Sequence, residues 1–188
     1  MEKACCFTGY RPHRFAFSSQ GLRPEQVQAA LSEQIAGLYA VGCRRFISGM
    51  CIGVDLWAAE EVVRLQQHYP EVELIAAVPF EGQESYWSLA EKQQYRRLLE
   101  ACAQVHVLSS REQAAENAAA CYRRRNIWMV DHADTVLAVY SPALADNRSG
   151  TAATVRYARR QQRRLLYIHP QTLAVTEEVV HQLQFELP

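Results

Sequence analysis

The sequence predicts an α/β fold organised around a mainly parallel sheet. Short apolar runs alternate with segments of helical periodicity along the chain, the order that parallel strands joined by crossover helices require. Several of those runs are nearly continuous in apolar residues, as expected of strands covered on both faces. The 188 residues, 49% of them hydrophobic and 21% charged, suffice for one domain with a sizeable core, and no internal repeat, low-complexity linker or break in composition divides them.

Each element has a local reason. Ala4-Cys5-Cys6-Phe7, ending at Thr8-Gly9, is the first strand. Pro24 suits the first turn of a helix, and Val27, Leu31, Ile35 and Leu38 then recur at helical spacing. Arg45-Phe46-Ile47-Ser48 is the second strand, followed from about Gly53 by a helix with Leu56, Ala59, Val62 and Val63 on one side. Glu73-Leu74-Ile75-Ala76-Ala77-Val78 is the third strand, ended by Pro79. Ser88 with Glu91, and Ser110 with Gln113, have capping-box spacing; they open helices toward Cys102 and Val130, on either side of a fourth strand over 104–108. Thr135-Val136-Leu137-Ala138-Val139-Tyr140 is the fifth strand, 151–161 a helix, and Leu165-Leu166-Tyr167-Ile168 the sixth strand. Residues 1–170 form the domain, and 171–188 an extension in which Val175, Val179, Val180 and Leu183 can cover a sheet edge.

Twenty Lys and Arg balance twenty Asp and Glu, which argues against coating nucleic acid or an anionic membrane by charge alone. No apolar run is long enough to span a bilayer, and Met1-Glu2-Lys3 does not begin a signal peptide, so a cytoplasmic protein without a membrane partner is expected. The six cysteines contain no Cys-x-x-Cys pair and sit mostly among apolar residues, in keeping with a reducing compartment. The six histidines show no ligand spacing, so no metal site is expected.

Gly9, Gly49, Gly53 and Gly150 all follow a strand and precede a helix, which puts them on the carboxyl edge of the sheet, where open α/β folds bind ligands. Glycine there serves either close approach of a ligand or a tight turn. Thr8, Arg11, Arg14, Ser48, Asp55, Asn147, Arg148, Ser149, Thr151 and Thr154 cluster at the same edge. Hydroxyls, arginines and helix N-termini suit phosphate and ribose, although Thr8, Ser48 and Asp55 are equally suited to local capping. No G-x-G-x-x-G or G-x-x-x-x-G-K-S/T is present, so neither the dinucleotide fingerprint nor the Walker loop is supported.

Three stretches carry a family resemblance. Thr8-Gly9-Tyr10-Arg11-Pro12, the segment from Ser48-Gly49 through Gly53-Val54-Asp55 to Glu60, and Arg125-Asn126-Ile127-Trp128-Met129-Val130-Asp131-His132-Ala133-Asp134 resemble the three motifs of the YpsA-like family. That family lies within the SLOG superfamily, which also holds the LOG phosphoribohydrolases and the DNA-processing protein DprA. The resemblance implies a single Rossmann-like three-layer domain, a parallel core with strand order 3-2-1-4-5 plus a sixth strand, and a nucleotide or ADP-ribose-like ligand held by a sensor or regulatory protein. The ligand-binding residues it implies, together with the edge just described, are Thr8, Gly9, Arg11, Pro12, Ser48, Gly49, Gly53, Asp55, Arg125, Asn126, Gly150 and Thr151, with Asp55 on ribose. A homo-oligomer is in keeping with the superfamily.

Two alternatives stay open. Arg125-Asn126, Met129, Ala133-Asp134 and Gly150-Thr151 are similar to the LOG pattern of an N-glycosidic hydrolase, but Ala152, Ala153 and Thr154 follow, so the catalytic glutamate of that pattern is missing. Asp55, Glu60 and Asp131 are the acids near the edge; Glu60 reads as a paired face residue, and Asp131 or Asp134 as a partner of Arg123, Arg124 or Arg125. Ser48-Gly49 to Asp55 is similar to a DprA loop, and Arg156, Arg159, Arg160 and Arg163 share one helix side, which suits either a nucleic-acid backbone or a solvated face, the latter favoured. Cys51 reads as a packing residue, and Tyr86, Trp87 and Tyr95 as either base-stacking or packing aromatics.

Overall fold

The computed structural model describes residues 3–15, 22–144 and 149–178. Asn147, Arg148, Val179, Val180 and Leu183 lie outside the described residues. The strands are β1 (Lys3–Gly9), β2 (Cys43–Ser48), β3 (Glu73–Val78), β4 (Gln104–Val107), β5 (Thr135–Val139), β6 (Arg164–Ile168) and β7 (Val175–Glu178). The α-helices are α1 (Pro24–Ala40), α2 (Val54–Gln66), α3 (Leu89–Glu100), α4 (Arg111–Asp131) and α5 (Gly150–Arg160). The fold is α/β and Rossmann-like, with one seven-stranded sheet in the order β4-β3-β2-β1-β5-β6-β7. Every pairing is parallel except β6 with β7, which is antiparallel.

The strand order corrects one expectation. The fourth strand of the chain does not lie beside β1; it pairs with β3 at the sheet edge, and β5 takes the place beside β1. Burial explains the exchange. The Thr-Val-Leu-Ala-Val run of β5 is buried throughout, whereas the Gln-Val-His-Val of β4 is exposed or half-exposed along its length. A central position would have taken Gln104 and His106 out of water. Of the extension, the described segment β7 lies along the edge of β6. Glu177 and Glu178 of β7 pair with Arg164 and Arg159 at 2.7 and 2.8 Å, on the outer side of β6.

The core lies where the helices meet the sheet. Phe7, Phe46, Ile47, Leu74, Ile75 and Leu137 are fully buried strand residues, and the rings of Phe7 and Phe46 stack with centroids 6.1 Å apart. Each such side chain contributes roughly 1.5–3 kcal/mol relative to exposure. Val27, Leu31, Ile35 and Leu38 form the buried stripe of α1, as their spacing predicts. Both capping boxes form: Ser88 Oγ accepts from Glu91 N, and Ser110 Oγ from Gln113 N.

The helix after Ser110 is broken at Asn117, whose backbone leaves the helical region at φ −156° and ψ 82°. Its side chain restarts the helix by accepting from Ala120 N at 3.0 Å. No helix among the described residues is long and apolar enough to cross a membrane.

Candidate functional site

At the carboxyl edge, the ends of β1 and β2 and the starts of α2 and α5 enclose, with the second half of α4, a cleft of about 550 Å³. Its position follows from the sheet order. α2 follows β2 and α5 follows β5, so their N-termini flank the end of β1.

The loop after β1 is anchored from beneath. Tyr10 meets Phe15 and Tyr140 edge-on at 6.0 and 6.5 Å, and Phe15 packs on Trp57 at 5.7 Å. This aromatic cluster holds a short 3-10 turn, Pro12–Arg14, and puts Arg11, His13 and Arg14 on the cleft wall. Opposite them, Ser149 caps α5 by accepting from Ala152 N at 3.1 Å. The first-turn amides of Gly150 and Thr151 have no acceptor within their own helix, as at any helix start, and they carry the positive end of its dipole. Among the described residues, a Cβ on Gly150 would meet nothing nearer than Asn126 Nδ2 at 3.9 Å, so they leave this turn open on the cleft side.

The floor is a buried ion pair. Arg125 Nη1 donates to Asp55 Oδ2 at 2.8 Å, with the two side chains only 6% and 10% exposed. Arg125 Nη2 donates to Cys51 Sγ at 3.2 Å, and Cys51 N donates to Asp55 Oδ2 at 3.4 Å. Burial opposes the guanidinium charge, but Cys51 and Asp55 more than offset it, so Arg125 is held protonated more firmly than a free arginine. Burial pushes the Cys51 thiol up against the pull of Arg125, and the thiol donates to Gln83 Oε1. Arg125 Nε is buried without a hydrogen-bond partner among the described residues.

The loop between β2 and α2 is preformed. Met50 is fully buried in the left-handed region at φ 55°, an uncommon state for a residue with a side chain. Ser48 Oγ accepts from Met50 N and donates to Asp55 O, while Gln83 Nε2 donates to Met50 O. Backbone strain of this kind persists only where its surroundings over-determine it, as these three bonds do.

Of the residues expected at the site, Thr8, Gly9, Arg11, Asp55, Arg125, Asn126, Gly150 and Thr151 line the cleft. Pro12 lines a smaller adjoining lobe. Ser48, Gly49 and Gly53 support the site from behind. A Cβ on Gly49 would fall 1.1 Å from Arg125 Nη1, and one on Gly53, at φ +102°, would fall 2.7 Å from Tyr10 O. These two glycines admit other parts of the protein. Thr151 Oγ1 donates to Gly9 O, and Thr154 Oγ1 donates to Gly150 O, so both hydroxyls tie α5 down. Thr154 therefore occupies the position of the missing glutamate as a buried helix-bonded residue.

Glu60 pairs with Arg97 at 2.7 Å, as its face position suggested. Asp131 and Asp134 pair differently from expectation. Asp131 accepts from Tyr157 Oη, Asp134 accepts from Ala4 N, and Arg124 donates to Ser109 Oγ. The late arginines are occupied: Arg159 by Glu178 and Tyr167, Arg163 by the Asp131 carbonyl, and Arg160 over the Tyr157 ring.

Sequence reasoning missed Tyr122. Its ring lies beneath Arg11 and Arg125, 6.0 and 5.8 Å from their guanidinium carbons, and burial raises its hydroxyl pKa. The available signal was its place three residues before Arg125 on one helix face. Among the described residues, no group of three or more His, Cys, Asp or Glu side chains is gathered to hold a metal ion.

Comparison with known proteins agrees with this architecture. Residues 5–173 match the model of the YspA SLOG family. The chain is 32% identical to UPF0398 protein BH1768 of Halalkalibacterium halodurans over 73% of its own length and 72% of the relative's. It is 30% identical to the SPbeta prophage-derived protein YoqJ of Bacillus subtilis, over 67% of this chain and 77% of that protein. It is 26% identical to UPF0398 protein YpsA of the same organism, over 74% of this chain and 77% of that protein. With a family match spanning nearly the whole described sheet, the chain belongs to the YspA SLOG family.

Proposed function

We propose that the cleft binds a nucleotide or nucleotide derivative of the ADP-ribose kind, and that the protein acts as a sensor or regulator through it. The observation that carries this reading is the convergence of the open first turn of α5 with Arg11 and Asn126 on one cleft. Free helix amides, a positive dipole end and an exposed arginine are what a phosphate needs. Arg125 contributes positive potential from the floor, although its direct bonds go to Asp55 and Cys51. A nucleotide-related role also fits the SLOG family.

Arg11 is the residue to test, because it is exposed and its removal leaves the core intact. In calorimetric titration with AMP, ADP and ADP-ribose, wild type binds and Arg11→Ala binds about tenfold more weakly, the loss of one charge-assisted hydrogen bond. Failure of wild type to bind any of the three, or equal binding by the variant, refutes the reading.

A further inference from the structure

Beyond Arg11 and Tyr122 the cleft continues into a second lobe of about 310 Å³. The two lobes differ in chemistry. Arg11, His13, Cys51, Ile52 and Tyr122 line both; the larger adds the start of α5, Arg14, Arg123 and Arg125, whereas the smaller adds Trp87, Pro12 and, as its acid, Glu91. Arg11 stands at the junction, lining both.

Resting on the nucleotide reading above, we propose that the smaller lobe receives the base, stacked on its aromatic wall, and that Glu91 accepts a hydrogen bond from an exocyclic amino group. The ligand class is an adenine-type nucleotide, discriminated from its oxo counterpart.

The walls are pre-oriented for this. Trp87 is half-buried and fixed by an edge contact to Tyr95 at 5.4 Å. Tyr122 is fixed in the same way by Phe80 at 5.5 Å. Two anchored rings lose little side-chain freedom when a base stacks on them. The Glu91 carboxylate is also held: one oxygen accepts from Ser88 N at 2.8 Å within the capping box. An ionised carboxylate has about four acceptor sites and no donor, so acceptors remain for a ligand. It therefore attracts an amino edge and repels a carbonyl edge. The strained Met50 loop, bonded by Gln83, supports Cys51 and Ile52 at the base of the lobe.

The test compares AMP, IMP and ribose 5-phosphate by calorimetry on wild type, Trp87→Ala and Glu91→Gln. Wild type should bind AMP about tenfold more tightly than IMP, the worth of one charge-assisted hydrogen bond. Trp87→Ala should weaken AMP by about tenfold, a typical stacking loss, and leave ribose 5-phosphate unchanged. Glu91→Gln keeps the capping box, since glutamine serves at that position, and should abolish or invert the preference for AMP over IMP. Ribose 5-phosphate binding by each variant reports that it is folded. If wild type binds AMP, IMP and ribose 5-phosphate equally, or Trp87→Ala weakens all three alike, the base lobe is refuted and the phosphate site stands. If wild type binds none of the three, the base lobe is refuted, and if ADP and ADP-ribose fail as well, the nucleotide reading itself falls.

Discussion

Gly49→Ala should be among the more destabilising substitutions available, and most of its effect should vanish when Arg125 is gone. The backbone at Gly49 is one that any residue adopts, so strain is not the reason. The new methyl would lie 1.1 Å from Arg125 Nη1 and 2.6 Å from Asp55 Oδ2, so guanidinium and methyl cannot coexist. Displacing the guanidinium breaks an ion pair whose members are 6% and 10% exposed, and leaves a carboxylate buried without its cation. Losing one partner of such a pair costs about 3–5 kcal/mol, a large part of the roughly 5–15 kcal/mol that holds a domain folded. Arg125→Ala should cost a similar amount for the same reason. Combined, the two should cost little more than either alone, because the guanidinium that the methyl displaces is already missing and the Asp55 carboxylate, released from it, can turn away from the methyl. The expected coupling is about 3 kcal/mol, read from urea denaturation midpoints at unchanged slope. If the two effects add within about 0.5 kcal/mol, the steric argument is wrong.

Gly150→Ala is the matched contrast: with no described residue nearer than 3.9 Å to that Cβ, stability should stay within about 0.5 kcal/mol of wild type in the same assay. Ser149→Ala removes the cap of α5 and should cost about 1 kcal/mol in urea denaturation. Arg164 and Arg159 hold the carboxyls of Glu177 and Glu178 below the ordinary range. Carboxylates depressed in the folded state stabilise fully above their unfolded pKa, so this contribution is lost as pH falls through the lowered folded-state values. Each pair is more than a third exposed and worth under about 1 kcal/mol, so hydrogen exchange should show β7 amides loosening in acid before those of β5. Burial pushes the Cys43 thiol up to about 11 and the Cys102 thiol up to about 12, so mass spectrometry after mildly alkaline iodoacetamide should find both unlabelled in native protein and labelled once it is unfolded. Rapid native labelling of either cysteine contradicts that burial.

Much of the fold was legible because strands and helices are local patterns. The continuous apolar runs gave β3 and β5, and the spacing of Val27 to Leu38 gave α1. Strand order was less legible, since it depends on which strand best tolerates both faces being covered; the polar alternation of β4 was the clue that it belongs outside. The location of the site was readable from strand ends followed by helix starts. The wiring inside it was not. Asp55 and Arg125 are 70 residues apart in sequence, and nothing local to either announces the other. Gly49 is a glycine because of that distant guanidinium. Ser48 and Thr151 have the chemistry to meet a phosphate, yet the backbone carbonyls of Asp55 and Gly9 take their hydroxyl protons.

The break at Asn117 has a consequence for what evolution or engineering can improve. An unbroken α4 would deliver its only positive end at Arg111. Restarting at Asn117 creates a second helix start just before Ala119, Tyr122 and Arg123, which line the cleft. Replacing Asn117 with alanine would remove the side chain that caps this restart and should cost about 1 kcal/mol. The same change would loosen the helix start that faces the cleft, so at this position stability and anion binding pull in the same direction.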